Sequence, residues 1–143
     1  MSNDLHNKTR VLRVVSPVAV GTTGTGKTGA VIDKQGFGGV EFIVSYGTVT
    51  ATNAAFTVVM KEGDVTGTLT SVADADMLGT ETLAGLATGV RTSGTTKNVT
   101  KRVGYVGAKR YVNLSISSTI TAGTPIGIDA VLHNPNIMPT ANP

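Results

Sequence analysis

A strict alternation of apolar and polar side chains over residues 111–117 is the feature that most limits what this chain can fold into. Val112, Leu114 and Ile116 fall on one side of an extended chain, and the other side carries Tyr111, Asn113, Ser115 and Ser117. A repeat of two is typical of a β-strand with one buried face and one solvated face. This segment therefore predicts a strand in a two-faced sheet and not a helix.

The flanking residues continue the pattern. Residues 102–106 predict a preceding strand, with residues 107–109 as the turn. After a break at Gly123 and Pro125, residues 126–132 predict a following strand. Consecutive strands joined by short turns favour an antiparallel meander, and we expect this meander to anchor the core.

The remainder of the chain predicts further short strands. They cover residues 30–32, 40–46, 55–61 and 68–72, and residues 9–20 predict an edge strand or a strand leaving the sheet, since Pro17 lacks an N–H group. Only residues 71–86 are compatible with a helix, and two glycines reduce that expectation to about one helical turn. The pattern predicts an all-β fold: one antiparallel β-sandwich or jelly-roll-like domain of about seven to eight strands.

The length of 143 residues predicts a single domain. We expect an extended N-terminal arm over residues 1–17, the β-sandwich domain over residues 18–134 and a Pro-rich tail over residues 135–143. The sequence contains no cysteine, which excludes disulfides and thiolate metal sites. Packing and sheet hydrogen bonds must therefore hold the domain together.

Charge and composition argue against several classes of function. The net charge is +3, only 15% of residues are charged, and aromatic residues make up 4%. Aromatic side chains are thus too scarce to interleave with basic ones as a nucleic-acid platform. No apolar run reaches the ~18 residues of a membrane span. Residues 1–10 lack the apolar core of a secretory signal, so we expect synthesis in the cytoplasm.

Candidate catalytic and metal-binding residues are sparse. His6 and His133 are the only histidines and lie near opposite ends of the chain. Neither belongs to a cluster with metal-ligand spacing, nor to a Ser/His/Asp arrangement. We therefore expect no enzyme activity, no metal and no cofactor.

Residues 21–28 read GTTGTGKT and match the phosphate-binding loop pattern letter for letter. In such a loop Lys27 would contact phosphates and Thr28 would bind magnesium, but a helix must begin at the lysine. The residues that follow predict a strand and a turn. The interpretation as a hairpin loop is therefore favoured over nucleotide binding.

Basic residues form two groups that predict contacts with a partner. The first group lies in the arm and consists of Lys8, Arg10 and Arg13. The β-prone arm, with Val11 and Val15, could also add a strand to a neighbouring sheet. The second group flanks the central alternation: Lys101, Arg102, Lys109 and Arg110. The alternative is a solvated rim with no partner. Docking on an acidic protein surface is the functional interpretation.

Three segments resemble a family of small tailed-phage and prophage proteins encoded near the major capsid protein. They read SVADADMLGTE, KRVGYVGAKRYVNL and GIDAVLHNPN, and the resemblance covers roughly residues 30–136. The family is described as head decoration or cement proteins. The resemblance implies a virion structural protein on the capsid surface, with the major capsid protein as partner and no catalytic residues. For such a protein we expect a homo-oligomer, with a trimer favoured over a dimer.

Two alternatives remain open at this point. A neck or tail protein of the same virion would share the resemblance. A carbohydrate-binding β-sandwich is the rival from another class, although it normally needs exposed aromatic side chains. The chain has three Tyr and three Phe, several of which fall on predicted strand faces.

Overall fold

A computed structural model describes residues 4–20, 26–87, 89, 91–92, 94, 97–119, 123–137 and 140. Within these residues nine strands follow in chain order: β1 (Arg10–Val20), β2 (Ile32–Asp33), β3 (Phe37–Tyr46), β4 (Phe56–Gly63), β5 (Thr70–Ser71), β6 (Met77–Leu78), β7 (Thr100–Tyr105), β8 (Tyr111–Ser118) and β9 (Thr124–Pro135). One helical turn, α1 (Glu81–Ala84), lies between β6 and β7. Single 3-10 turns occupy His6–Lys8 and Asp74–Asp76.

The strands form two antiparallel sheets. The larger sheet has the order β1-β9-β3-β7-β6, and the smaller sheet has the order β2-β8-β4-β5. The predicted all-β, sandwich-like class is confirmed. The single helical turn expected within residues 71–86 is α1, where the Thr80 hydroxyl accepts a hydrogen bond from the Leu83 N–H at 3.0 Å.

The core lies between the two sheets and follows the alternation read from the sequence. Val112, Leu114 and Ile116 are all buried on the inner side of β8. The larger sheet contributes the facing side chains, among them Phe42, Val44, Val103, Ile128, Ala130 and Leu132. Each of these six is fully buried. The period of two thus identified the buried face of β8 correctly.

The predicted meander is wrong. β7 pairs with β3 and β6, β8 pairs with β4 and β2, and β9 pairs with β1 and β3. The three consecutive strands therefore pass from one sheet to the other and back. Alternation reports which face of a strand is buried, and it carries no information about which strand lies beside it. The long β9 takes its two neighbours from the first third of the chain.

Residues 10–17 are not an extended arm, contrary to the predicted boundary. They belong to β1, which pairs with β9 from Arg10 to Val20. The register shifts between Arg13 and Val15 and again between Val15 and Val18, so the strand bulges twice. The first irregularity lets Val14 and Val15 both point into the core. β1 is an edge strand, as the proline-containing segment allowed.

Residues 26–33 close the side of the sandwich between β1 and β8. Lys27 and Ile116 exchange backbone hydrogen bonds of 2.7 and 3.0 Å, and the Ala30 N–H donates to the Val14 carbonyl at 2.9 Å. Gly29 lies between these two contacts and is buried. This crossing segment therefore ties the edge of the smaller sheet to the edge of the larger one.

Candidate interaction surface

The two sheets present different outer faces. On the smaller sheet the outward residues of β4 and β8 are mainly hydroxyl-bearing and polar, and include Thr57, Lys61, Ser115 and Ser117. The hydroxyls of Thr57 and Ser117 lie 3.4 Å apart across the strand pair. Such a face is well solvated and offers little apolar area to a partner.

The outer face of the larger sheet combines apolar and charged side chains in two rows. The strand registers place one row across four strands, consisting of Arg13, Asp129, Ile43 and Arg102. The second row crosses all five strands and consists of Val11, Val131, Glu41, Gly104 and Leu78. Val11 is 47% exposed and Leu78 is 52% exposed. We call these nine residues the sheet face.

Charge on the sheet face is unevenly neutralised. The Arg102 Nε lies 3.8 Å from the Glu41 carboxylate, and Glu41 also lies over Gly104. The Arg102 side chain is 81% exposed, so this pair contributes little to stability. Within the described part of the chain, neither Arg10 nor Arg13 forms an ion pair within 4 Å of a carboxylate. On the sheet face, Arg102 thus has a carboxylate within 4 Å and Arg13 does not, although Asp129 is the partner of Arg13 in the β1–β9 register.

Lys109 and Arg110, predicted as partner contacts, are already paired within the chain. The Lys109 ammonium lies 2.7 Å from the Asp64 carboxylate. The Arg110 guanidinium contacts both carboxylate oxygens of Asp33, at 3.0 and 2.8 Å. These hydrogen bonds lower the pKa of Asp33 and of Asp64 below their usual value. Both basic residues lie in the β7–β8 turn and not on the sheet face.

The remaining predicted contact residues divide between surface and core. Val15 is buried at 6% exposure, so its side chain faces the core and not a partner, which corrects that prediction. Lys101 is half-buried on β7 opposite Val44, and Lys8 lies in the first 3-10 turn. Arg10 borders an open hollow of about 450 Å³, whose lining includes Phe37, Pro135 and Ile137.

The structure thus brings Val11, Arg13 and Arg102 together on one face. Sequence reasoning missed the residues between them, notably Ile43 and Asp129. A signal for Ile43 was present, because it lies on the opposite side of β3 from Phe42 and Val44 in the same alternation. Asp129 carried no such signal, since its place beside Arg13 depends on the pairing of β9 with β1.

Two buried tyrosines form hydrogen bonds with polar groups inside the domain. The Tyr105 hydroxyl donates a hydrogen bond to the Glu62 carboxylate and accepts one from the Lys109 N–H at 3.1 Å. The Tyr46 hydroxyl donates to the Ala84 carbonyl at 2.7 Å and so fastens α1 to β3. Burial raises the pKa of both phenols above the usual range, and the Glu62 carboxylate adds to the effect at Tyr105.

Alkaline pH is expected to destabilise the domain through these phenols. A raised folded-state pKa contributes stability that is fully present below the unfolded value of ~10 and is lost as the pH rises above it. Thermal melting followed at pH 8 to 11 should show the melting temperature falling above pH ~10. The Tyr46→Phe variant should show a shallower fall. An identical pH dependence in that variant would contradict this role for Tyr46.

The described residues show few features typical of a metal site, a membrane span or a nucleotide site. Among the described residues there is no group of three or more His, Cys, Asp or Glu that could hold a metal ion. No helix in that part of the chain is long and apolar enough to cross a membrane. Lys27 of the phosphate-loop-like motif lies in extended backbone beside β8, where a helix would be required. Residues 21–25 of the motif lie outside the described residues.

Comparison with known proteins gives similarity of fold only. No family model and no curated protein matches the chain. Among solved structures, the SPBc2 prophage-derived protein YomS is 10% identical over 87% of this chain and 91% of its own, with a TM-score of 0.49. A pilus protein of Bacillus endospore appendages is 14% identical over 94% of this chain and 96% of its own, with a TM-score of 0.43.

A third similar structure contains the CBM22-1 and GH10 modules of a Clostridium thermocellum endo-1,4-beta-D-xylanase. It is 13% identical over 91% of this chain and 30% of that chain, with a TM-score of 0.44. One neighbour is thus of prophage origin, another is a pilus and a third belongs to a glycosidase. No function is transferred from any of them.

Proposed function

We propose that this chain is a non-enzymatic virion protein that binds the outer surface of a tailed-phage capsid and stabilises it as a decoration protein. Its partner is the major capsid protein, and it acts as a homo-oligomer, with a trimer favoured. The proposal combines the resemblance of residues 30–136 to phage head proteins with one structural observation. That observation is the sheet face, where exposed apolar residues alternate with charges of both signs.

The sheet face is large enough for part of a protein–protein contact. Its two rows lie two residues apart along each strand, so five strands spaced ~4.8 Å apart and about four residues of ~3.4 Å along each strand give a surface on the order of 300 Å². A standard interface buries ~800 Å² on each partner. One such face gives a modest contact, and several faces in a symmetric oligomer would bind a repeating shell far more tightly through effective concentration. This is the property that a protein stabilising a capsid needs.

Charge complementarity adds specificity to such a contact. Arg13 and Arg102 stand at opposite sides of one row, separated by Asp129 and Ile43. A partner surface with acidic groups at the matching positions would be attracted, whereas a basic surface would be repelled. The apolar side chains of the second row then supply area that is removed from water on binding.

Charge reversal on the sheet face is expected to weaken attachment to capsids. We expect the Arg13→Glu/Arg102→Glu variant to lose at least ~100-fold in affinity for purified tail-free heads, measured by co-sedimentation. The matched control is Lys27→Glu/Lys61→Glu, which changes the net charge equally but lies on the smaller-sheet side; it should bind normally. An equal loss of affinity in both variants would mean that net charge alone causes the effect. Unchanged binding of the Arg13→Glu/Arg102→Glu variant would contradict the role proposed for the sheet face.

A further inference from the structure

The outer edge of β1 leaves backbone groups without partners in the described part of the chain. The direction of these groups follows from the hydrogen-bond ladder. The Pro125 carbonyl accepts from the Gly47 N–H at 2.7 Å, so Pro125 directs its backbone towards β3. In an antiparallel ladder successive residues point to alternate neighbours. The even-numbered residues of β9, including Ala130, therefore direct their backbone towards β1.

This alternation fixes the orientation of the first half of β1. Leu12 is the partner of Ala130 and bonds to it across the ladder. Val11 and Arg13 consequently direct their N–H and C=O groups away from β9, towards the outer edge. The register of β9 against β3 is unbroken from Phe37 to Tyr46, so no irregularity in β9 disturbs this count.

The two ends of this edge are occupied, and its middle has no partner among the described residues. On one side, the Thr140 hydroxyl donates to the Thr9 carbonyl at 2.7 Å. On the other side, the Ala30 N–H donates to the Val14 carbonyl at 2.9 Å. No hydrogen bond within the described residues reaches the outward backbone groups of Val11 and Arg13. By contrast, the edge of β4 is satisfied at Met60, whose N–H donates to the Glu81 carboxylate at 2.7 Å.

We infer that the open edge of β1 accepts an extended acidic segment of a partner protein as an added strand. Two donors and two acceptors at Val11 and Arg13 match one short strand between the fixed ends. Arg10 and Arg13, neither of which has a carboxylate within 4 Å among the described residues, flank this edge. A second copy of β1 is disfavoured, because antiparallel pairing centred on Leu12 would place Arg13 diagonally across from its own copy on the same face of the sheet. Identifying the partner as a capsid subunit rests on the proposed function.

Amide exchange measured by NMR tests the edge directly. The probe is a capped hexapeptide of alternating valine and glutamate, compared with one of alternating valine and lysine. In the free protein the amides of Val11 and Arg13 should exchange rapidly and that of Leu12 slowly. Saturation with the acidic peptide should slow both outward amides at least ~10-fold. No slowing, or equal slowing by the lysine peptide, would overturn the inference. Concentration-dependent protection without peptide would also overturn it, in favour of a second copy.

Proline substitutions distinguish an effect on the outer edge of β1 from an effect on the stability of the fold. Val11→Pro removes an outward N–H and should leave the domain folded, while Leu12→Pro removes a ladder N–H and should lower the melting temperature much more. Val11→Pro should abolish peptide protection at Arg13, whereas Val11→Ala should retain it. Full peptide protection in Val11→Pro would contradict strand addition. On heads, normal binding by Val11→Pro with weakened binding by the sheet-face variant would overturn the capsid identity of this partner and leave the proposed function intact.

Discussion

Replacing Gly29 with alanine is expected to unfold the domain or cost at least ~3 kcal/mol of its free energy of unfolding. A Cβ at this position would overlap the carbonyl oxygen of Leu114 and lie 2.6 Å from the Cγ1 of Val14. The first is backbone of a central strand of the smaller sheet, and the second is a buried side chain of β1. Neither can move without opening the crossing segment that joins the two sheets. Chemical denaturation monitored by circular dichroism measures the loss.

The matched control for this substitution is Gly67→Ala. No heavy atom lies within 4 Å of a Cβ built at Gly67. That variant should be neutral or slightly more stable, because alanine restricts the unfolded chain. If Gly29→Ala were as stable as Gly67→Ala, the crossing segment would not pack between β1 and β8 as described.

Replacing Phe42 with alanine is expected to cost ~3–5 kcal/mol, the range for a fully buried phenylalanine. Phe42 lies in β3, which has β9 on one side and β7 on the other, and its ring is fully buried between the sheets. The loss would be a large share of the ~5–15 kcal/mol that stabilises a domain of this kind. Urea denaturation with a fixed m-value gives the difference directly.

Ile43→Ala provides the comparison at the next position along the same strand. Its side chain points to the sheet face and is only half-buried. Its removal should cost about 1 kcal/mol or less and should weaken capsid binding instead. A large loss of stability at Ile43 together with a small one at Phe42 would mean that the faces of β3 are exchanged.

The sequence was sufficient for the class of fold and for the buried face of β8, but not for that of β1, where Val14 and Val15 are both buried. The burial of Val112, Leu114 and Ile116 was predictable, because the alternation is a local property of the strand. The pairing of β9 with β1 and β3 was not predictable, because it depends on long-range packing between distant parts of the chain. For the same reason the arm predicted over residues 1–17 includes residues 10–17, which form part of β1 and whose β-branched side chains suit a strand.

The candidate surface was predictable only in part. Arg13 and Arg102 could be proposed from charge alone, but their alignment in one row depends on four strands in register. Lys109 and Arg110 carried the same signal in the sequence and proved to be paired with Asp64 and Asp33. Basic residues near strand ends therefore do not distinguish partner contacts from internal ion pairs.

The most direct test of the central claim is a cryo-electron map of the assembled particle. We expect density for this chain on the outer shell, in a copy number comparable to that of the capsid subunits. The sheet face should point towards the shell, with Arg13 and Arg102 near acidic groups of the capsid protein. Absence from the shell, with the chain found instead at the neck or tail, would contradict the proposed function.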